Sequence, residues 1–211
     1  HARCRTAIPV WPASRSARHS ANAGATRPRT CWVLSAPSTS TDSSSASHAA
    51  YSRGKRSANP ANVRRQLIGI ARPAYVPIYA QALAELGVER AMIVSGDEGL
   101  DELSLAGGND VAELTADGLV AMRRLSAADA GLPAHPIEAI RGGDPAHNAA
   151  ALRALLLGEP GAYRDAVLLN AAAALVIAGK ATDLREGVAQ AAATIDQGLA
   201  NRLLNCWIAY S

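Results

Sequence analysis

From residue 59 onward the chain predicts an α/β fold, a partial, mostly parallel sheet flanked by helices, and before it an irregular arm. Two short apolar runs, "RQLIGIA" (65–71) and "RAMIVSG" (90–96), bracket a segment with helical spacing. After Pro136 almost every stretch reads as a capped helix. The composition, 49% hydrophobic with 4% aromatics and no Phe, supplies a core built from Ala, Leu, Val and Ile.

The arm, residues 1–58, is one predicted region and residues 59–211 the other. The arm is rich in Ser, Ala, Arg, Pro and Thr and has no sustained helical or strand period, the composition of a disordered basic segment. Nine Lys/Arg against Asp42 alone give it a balance of +8, whereas the remainder carries twelve basic and seventeen acidic residues, so the net +3 conceals an acidic domain. A second explanation of the arm comes from reading "RTCWVLSAPSTSTD" (29–42) one base earlier with GC-rich codons. The result, Asp-Val-Leu-Gly-Ala-Leu-Gly-Ala-Val-Asp-Ile-Asp, is patterned like a helix, which the printed residues are not. The expectation is an out-of-frame arm, with the proper frame resuming near Asn59.

In the ordered part, "RQLIGIA" is a strand by its β-branched apolar content. Pro73 and Pro77 flank the start of "YVPIYAQALAELGV", where Ile78, Ala82, Leu83 and Leu86 mark one helical face and Gly87 supplies the stop. "RAMIVSG" follows as a strand, completing a strand–helix–strand unit of the size of a right-handed parallel crossover. "LDELSL" and "NDVAELT" are expected as further short strands with Gly107-Gly108 turning between them. "DPAHNAAALRALLLG" opens with Asp144 as N-cap and Pro145 in the first turn. "AYRDAVLLNAAAALVIAG" is apolar nearly all round, hence a buried helix ending at Gly179. "LREGVAQAAATIDQG" and "ANRLLNCWIAY" complete the series, with Cys206 and Trp207 read as packing residues.

Several function classes are disfavoured. The longest apolar stretch, "AVLLNAAAALVIAG", is interrupted by Asn170 and falls short of the roughly 20 residues that span a bilayer. Cys4, Cys31 and Cys206 are odd in number and show no CxxC spacing, which supports neither a disulfide framework nor a zinc site. The arm's arginines lack interleaved aromatics apart from Trp11 and Trp32, so no nucleic-acid partner is expected. The chain starts at His1 without a signal-peptide pattern and is read as cytoplasmic, without a membrane partner, and incomplete at its start.

The chemistry concentrates in "AMIVSGDEGLDELSL" (91–105), where an apolar run leads into Asp97, Glu98, Asp101 and Glu102. Side chains at the C-terminal end of a strand project into the crevice where open α/β sheets bind ligands. Adjacent carboxylates there suit Mg²⁺, which takes one or two protein carboxylates and completes its shell with water and phosphates. The plain alternative is that all four are solvated loop charges or helix caps.

"NPANVRRQLIG", "SGDEGLDELS", "DAGLPAHPIEAIRGGDPAHNAAALRALLLGEPGAYRDAVLLNAAAALVIAGKA" and "GVAQAAATIDQG" follow one another in unbroken order over residues 59–211. That series resembles the C-terminal portion of the anthranilate phosphoribosyltransferases. The resemblance implies the α/β domain of the nucleoside phosphorylase/phosphoribosyltransferase class. It also implies transfer of 5-phosphoribosyl from phosphoribosyl pyrophosphate to anthranilate in tryptophan biosynthesis, and a homodimer in the intact family. In the family's "DGLDE" loop the Asp-Glu pair binds the Mg²⁺ ions that accompany the donor; the matching positions are Asp101 and Glu102, which leaves Asp97 and Glu98 as loop charges. Mg²⁺ would neutralise the departing diphosphate, a Lewis-acid and templating role. An arylamine is neutral near pH 7, so no strong base is needed and no catalytic side chain is assigned. The family's "GTGGD"-type and "KHGNR"-type donor loops, and its upstream anthranilate-positioning Arg, cannot be read in residues 1–58. Substrate-binding residues are therefore unassigned, and this chain is expected to be weakly active or inactive.

Other candidates weigh less. "RGGD" (141–144) is either a phosphate nest or a turn before the Asp144 cap, and the turn is favoured. Asn148 and Asn170 are expected to bond neighbouring backbone. His135 and His147 lack metal-like spacing and are expected in surface or capping roles, and Arg64-Arg65 before a strand is read as solvated. A pyrimidine nucleoside phosphorylase-like enzyme and a non-catalytic remnant stand as alternatives.

Overall fold

The computed structural model describes residues 30–33 and 63–210. A five-stranded sheet runs in simple sequence order: β1 (Thr30–Val33), β2 (Arg65–Gly69), β3 (Arg90–Gly96), β4 (Asn109–Leu114) and β5 (Val120–Leu125). Between β2 and β3 lies helix α1 (Val76–Glu85), and the sheet is followed by α2 (Pro145–Leu156), α3 (Ala162–Ile177), α4 (Leu184–Asp196) and α5 (Leu199–Ile208). The α/β class and the strand–helix–strand unit stand as predicted. Pairing is parallel across β1–β2 and β2–β3 but antiparallel across β3–β4 and β4–β5, so the sheet is mixed.

The apolar runs of β2 and β3 are continuous because both faces of the sheet are covered. On one face Ile68, Ile70, Ala91, Ile93 and Ala112 pack beneath Val76, Ala80 and Leu83 of α1. On the other, Leu67, Met92, Val94 and Val111 pack against Leu169, Ala172, Ala173 and Ile177 of α3, with Leu184 of α4. Successive residues of β3 alternate between the two cores, as a pleated strand requires. Helices α3 and α4 meet closely at Gly187, where a Cβ would come within 2.8 Å of the Cα and Cβ of Ala172.

One expected strand is corrected and one unexpected strand is added. "LDELSL" (100–105) is not a strand. Leu103 and Leu105 are buried in alternation as strand residues would be, but the backbone here bonds to asparagine side chains. Strand β5 has no counterpart in the sequence reading. Its residues 120–124 are exposed, so it lacks the apolar alternation that announces a strand, although Asp117-Gly118 in the preceding turn is a hairpin signal. Arg123 pairs with Glu113 across β4 and β5.

The helices follow their caps. The Asp144 carboxylate accepts from the N–H of His147, and that of Asp183 from the N–H of Glu186. In α5 the packing reading of Trp207 fails: it is 73% exposed, and Leu203 beside it is 64% exposed, while Cys206 is half-buried. Among the described residues no helix is long and apolar enough to cross a membrane. Of the arm, residues 1–29 and 34–58 lie outside the described residues, and with them the question of its reading frame.

Candidate functional site

The acidic stretch forms the connection between β3 and β4, so it lies at the C-terminal ends of β2 and β3. Its entry is a tight turn in which the N–H of Gly96 donates to the carbonyl of Leu100 at 3.0 Å, and that of Gly99 to Gly96 at 3.0 Å. The backbone of Asp101 then presses against the end of β2. A Cβ at Gly69 would fall on the Asp101 carbonyl oxygen, so only glycine is compatible with this approach.

Past the two carboxylates the loop is tied down by amide side chains. The N–H of Leu103 donates to Oδ1 of Asn170 at 2.9 Å, and Nδ2 of Asn170 returns a bond to the Leu103 carbonyl at 2.9 Å and a second to Ala166 at 3.0 Å. Buried Asn109 does the same one residue on. Its Oδ1 accepts from the N–H of Ser104, and its Nδ2 donates to the carbonyls of Ser104 and Leu125. Leu103 and Leu105 fill the core beneath. Each asparagine thus supplies the donor and acceptor a neighbouring strand would have provided, which satisfies buried backbone groups that have no strand to pair with.

Asp97 and the Asp101–Glu102 pair differ in environment. Asp97 accepts from Nη2 of Arg124 at 2.6 Å and from the N–H of Gly108 at 3.0 Å, and Arg124 also binds Asp110 at 2.9 Å. Its carboxyl is held below the usual range, first by the bond from Arg124 and then, against slight desolvation, by the backbone bond from Gly108. Asp97 is therefore a latch between the loop and β5. Asp101 and Glu102, by contrast, form no hydrogen bond or ion pair through their carboxylates among the described residues. The Glu102 carboxyl is pushed above the ordinary range, first by partial burial and then by the charge of Asp101. Glu102 is exposed over its surface as a whole, so solvent screens much of this shift.

Two neighbouring carboxylates without a cationic partner, on a backbone fixed from three sides, are hard oxygen donors of the kind a magnesium ion accepts. The pair is chemically compatible with that ion, and two protein ligands leave most of the shell to water and phosphate oxygens. No group of three or more His, Cys, Asp or Glu gathers among the described residues.

The remaining candidates take structural places. Asn148 bonds Gly143 through both amide atoms, at 2.8 and 3.0 Å, as a turn clamp. His135 is not a surface residue; its Nε2 lies 2.8 Å from Oδ2 of Asp165, tying the segment after β5 to α3. Arg64 and Arg65 pair with Glu89, and Arg65 also donates to the Ala178 carbonyl past the end of α3. Both arginines sit at the N-terminal end of β2, opposite the acidic loop.

A mixed α/β sheet that presents such a loop at its strand ends defines a class, and the chain belongs to it: residues 58–201 match the family model of the glycosyl transferase family, a/b domain. Within that family the similar curated proteins are anthranilate phosphoribosyltransferases. The one from Novosphingobium aromaticivorans is 70% identical over 152 residues, covering 72% of this chain and 46% of the relative. The one from Sphingopyxis alaskensis is 69% identical over 153 residues, with the same coverage. Among solved structures, the anthranilate phosphoribosyltransferase of Thermus thermophilus superposes with a TM-score of 0.65 at 38% identity, covering 72% of this chain and 44% of that one. The Saccharomyces cerevisiae enzyme in complex with PRPP and Mg has a TM-score of 0.61 at 27% identity, covering 68% of this chain and 42% of that one. The chain thus spans about half the length of the curated relatives it matches.

Proposed function

We infer that this chain is the cation-binding half of an anthranilate phosphoribosyltransferase, the enzyme that joins the 5-phosphoribosyl group of phosphoribosyl pyrophosphate to the amino group of anthranilate in tryptophan biosynthesis. One observation carries this reading. Of four clustered acids, Asp97 is held by Arg124 and Gly108, whereas Glu98, Asp101 and Glu102 have no hydrogen bond or ion pair among the described residues; of these three, Asp101 and Glu102 are adjacent in the chain and stand on backbone fixed by Gly69, Asn170 and Asn109. The Glu98 carboxylate lies by Gly107, where a Cβ would come within 2.6 Å of its Oε1, on the Asp97 side of the turn. The names of the relatives and the PRPP and Mg of the yeast complex agree with that assignment.

Breaking the bond between the anomeric carbon and diphosphate builds negative charge on the leaving group. Mg²⁺, when bound, supplies the compensating charge. The contribution of Asp101 and Glu102 is to hold that charge where diphosphate departs. The amine of anthranilate is an uncharged nucleophile at neutral pH, so the reaction asks no side chain of this half to act as a base. The partners are two small molecules and the setting is cytoplasmic; a homodimer belongs to the intact enzyme. Residues 1–58 are an out-of-frame arm, and sequencing the encoding DNA tests this: a single clean frame with no family-like reading upstream of Asn59 would exclude it.

The test of function is direct binding. Mn²⁺, a paramagnetic substitute for Mg²⁺, is titrated into the chain with phosphoribosyl pyrophosphate present. Binding that disappears when Asp101→Asn and Glu102→Gln are combined supports the assignment; undiminished binding by the double variant rejects it.

A further inference from the structure

We propose that Asn170 is a positioning residue for the Asp101–Glu102 pair, acting through the backbone of Leu103. This rests on the cation-binding reading above and extends it to a residue in the middle of a helix, 67 positions away from the loop it holds.

The amide of Asn170 meets both backbone polar groups of Leu103 at once, accepting at 2.9 Å and donating at 2.9 Å. A planar amide making both bonds fixes the two peptide units on either side of the Leu103 Cα, in rotation as well as in place. Leu103 is the residue after Glu102, so its N–H belongs to the peptide that carries the Glu102 carbonyl. Fixing it fixes the direction in which Glu102 leaves the chain. The third bond, from Nδ2 to Ala166 one turn earlier in α3, holds the amide in one orientation. Leu103 itself is 1% exposed, which prevents the loop from moving outward and keeping the bond. On the opposite side Gly69 admits the Asp101 carbonyl, so the two carboxylates lie on a short span clamped at both ends.

The alternative is that Asn170 only satisfies buried polar groups, with no bearing on the carboxylates. The geometry distinguishes the two, because Asn148 makes the same two-bond contact with Gly143 in an exposed turn far along the chain from the acids. It provides a matched control for loss of an asparagine clamp as such.

The experiment measures amide hydrogen exchange over residues 97–106 and Mn²⁺ affinity, the latter with phosphoribosyl pyrophosphate present, well below each variant's melting temperature. Asn170→Ala should accelerate exchange at the Leu103 and Ser104 amides and weaken Mn²⁺ by about tenfold, the scale on which residues behind a metal ligand act. Asn148→Ala should change neither. Asn170→Asp keeps the acceptor and loses the donor, and should fall between. Should Asn170→Ala fail to fold, Asn170→Ser and Asn170→Asp carry the same comparison. Unchanged loop exchange overturns the proposal, as does Mn²⁺ affinity within twofold of wild type. If wild-type protein binds no Mn²⁺, or the Asp101→Asn, Glu102→Gln double variant binds it equally well, the cation reading fails separately, and loop exchange alone then decides whether Asn170 positions this segment.

Discussion

At the level of single residues, the division of labour within one acidic stretch depends on what each carboxylate finds nearby. Asp97 finds Arg124 and is neutralised, whereas Glu102 is made harder to ionise first by partial burial and then by the charge of Asp101. That difference has a sign that can be measured. A carboxyl whose pKa is raised by folding favours the folded state below its unfolded value, and the benefit is lost as pH rises through the folded value. Glu102→Gln should therefore stabilise the metal-free chain at neutral pH slightly and have no such effect in acid, as thermal melts at the two pH values would show. Mn²⁺ competes with the proton on Glu102, so affinity should decline on acidification starting above the ordinary glutamate range, and the Gln variant should lose that part of the profile. For Asp97 the sign reverses: its depressed pKa contributes stability that disappears as pH falls through the folded value. Charge pattern alone marks these acids as a cluster, and the family resemblance singles out Asp101 and Glu102, but the latch role of Asp97 was not legible because Arg124 lies 27 positions away on a strand without strand-like patterning.

Among elements, the core strands and the helices after Pro136 were legible because each repeats a local physical signal: unbroken apolar runs where two faces are covered, and Asp144 and the glycines at helix ends. The corrections fall where backbone satisfaction is non-local. "LDELSL" imitates a strand since Leu103 and Leu105 alternate inward, yet its hydrogen bonds terminate on Asn109 and Asn170. Helix periodicity alone places Asn170 on a helix without revealing its partner. Close contacts between elements give sharper tests. Gly69→Ala puts a methyl group into the Asp101 carbonyl and should cost about 1–3 kcal/mol, the range for overpacking, with Mn²⁺ binding lost as the loop is displaced. Gly187→Ala presses α4 against Ala172 at 2.8 Å and should cost a similar amount while leaving Mn²⁺ binding intact, because that contact lies away from the loop. Denaturant midpoints together with Mn²⁺ titration separate the two; equal losses of binding would show that the whole fold, not the strand end, governs the site.

For the molecule as a whole, the decisive fact is that the chain matches 46% of the Novosphingobium aromaticivorans enzyme and 46% of the Sphingopyxis alaskensis enzyme. The reaction proposed for the family needs phosphate oxygens held on more than one side, and the described residues offer two carboxylates and no third ligand. A cation held by two protein oxygens is completed by the substrate, so its binding should be strongly cooperative with phosphoribosyl pyrophosphate and weak without it. Turnover demands more: the sugar and the amine must also be oriented, and orientation is worth several orders of magnitude in rate. The chain alone should therefore consume anthranilate no faster than a blank when followed by its fluorescence with donor and Mg²⁺ present. A version carrying the upstream sequence in the alternative frame should turn over. In that version Asp101→Asn with Glu102→Gln should reduce kcat by about a hundredfold or more, since charge neutralisation by a metal contributes several kcal/mol. Robust turnover by the present chain would show that residues 1–58 supply donor contacts as they stand, and the division between a frame-shifted arm and a cation-binding half would have to be abandoned.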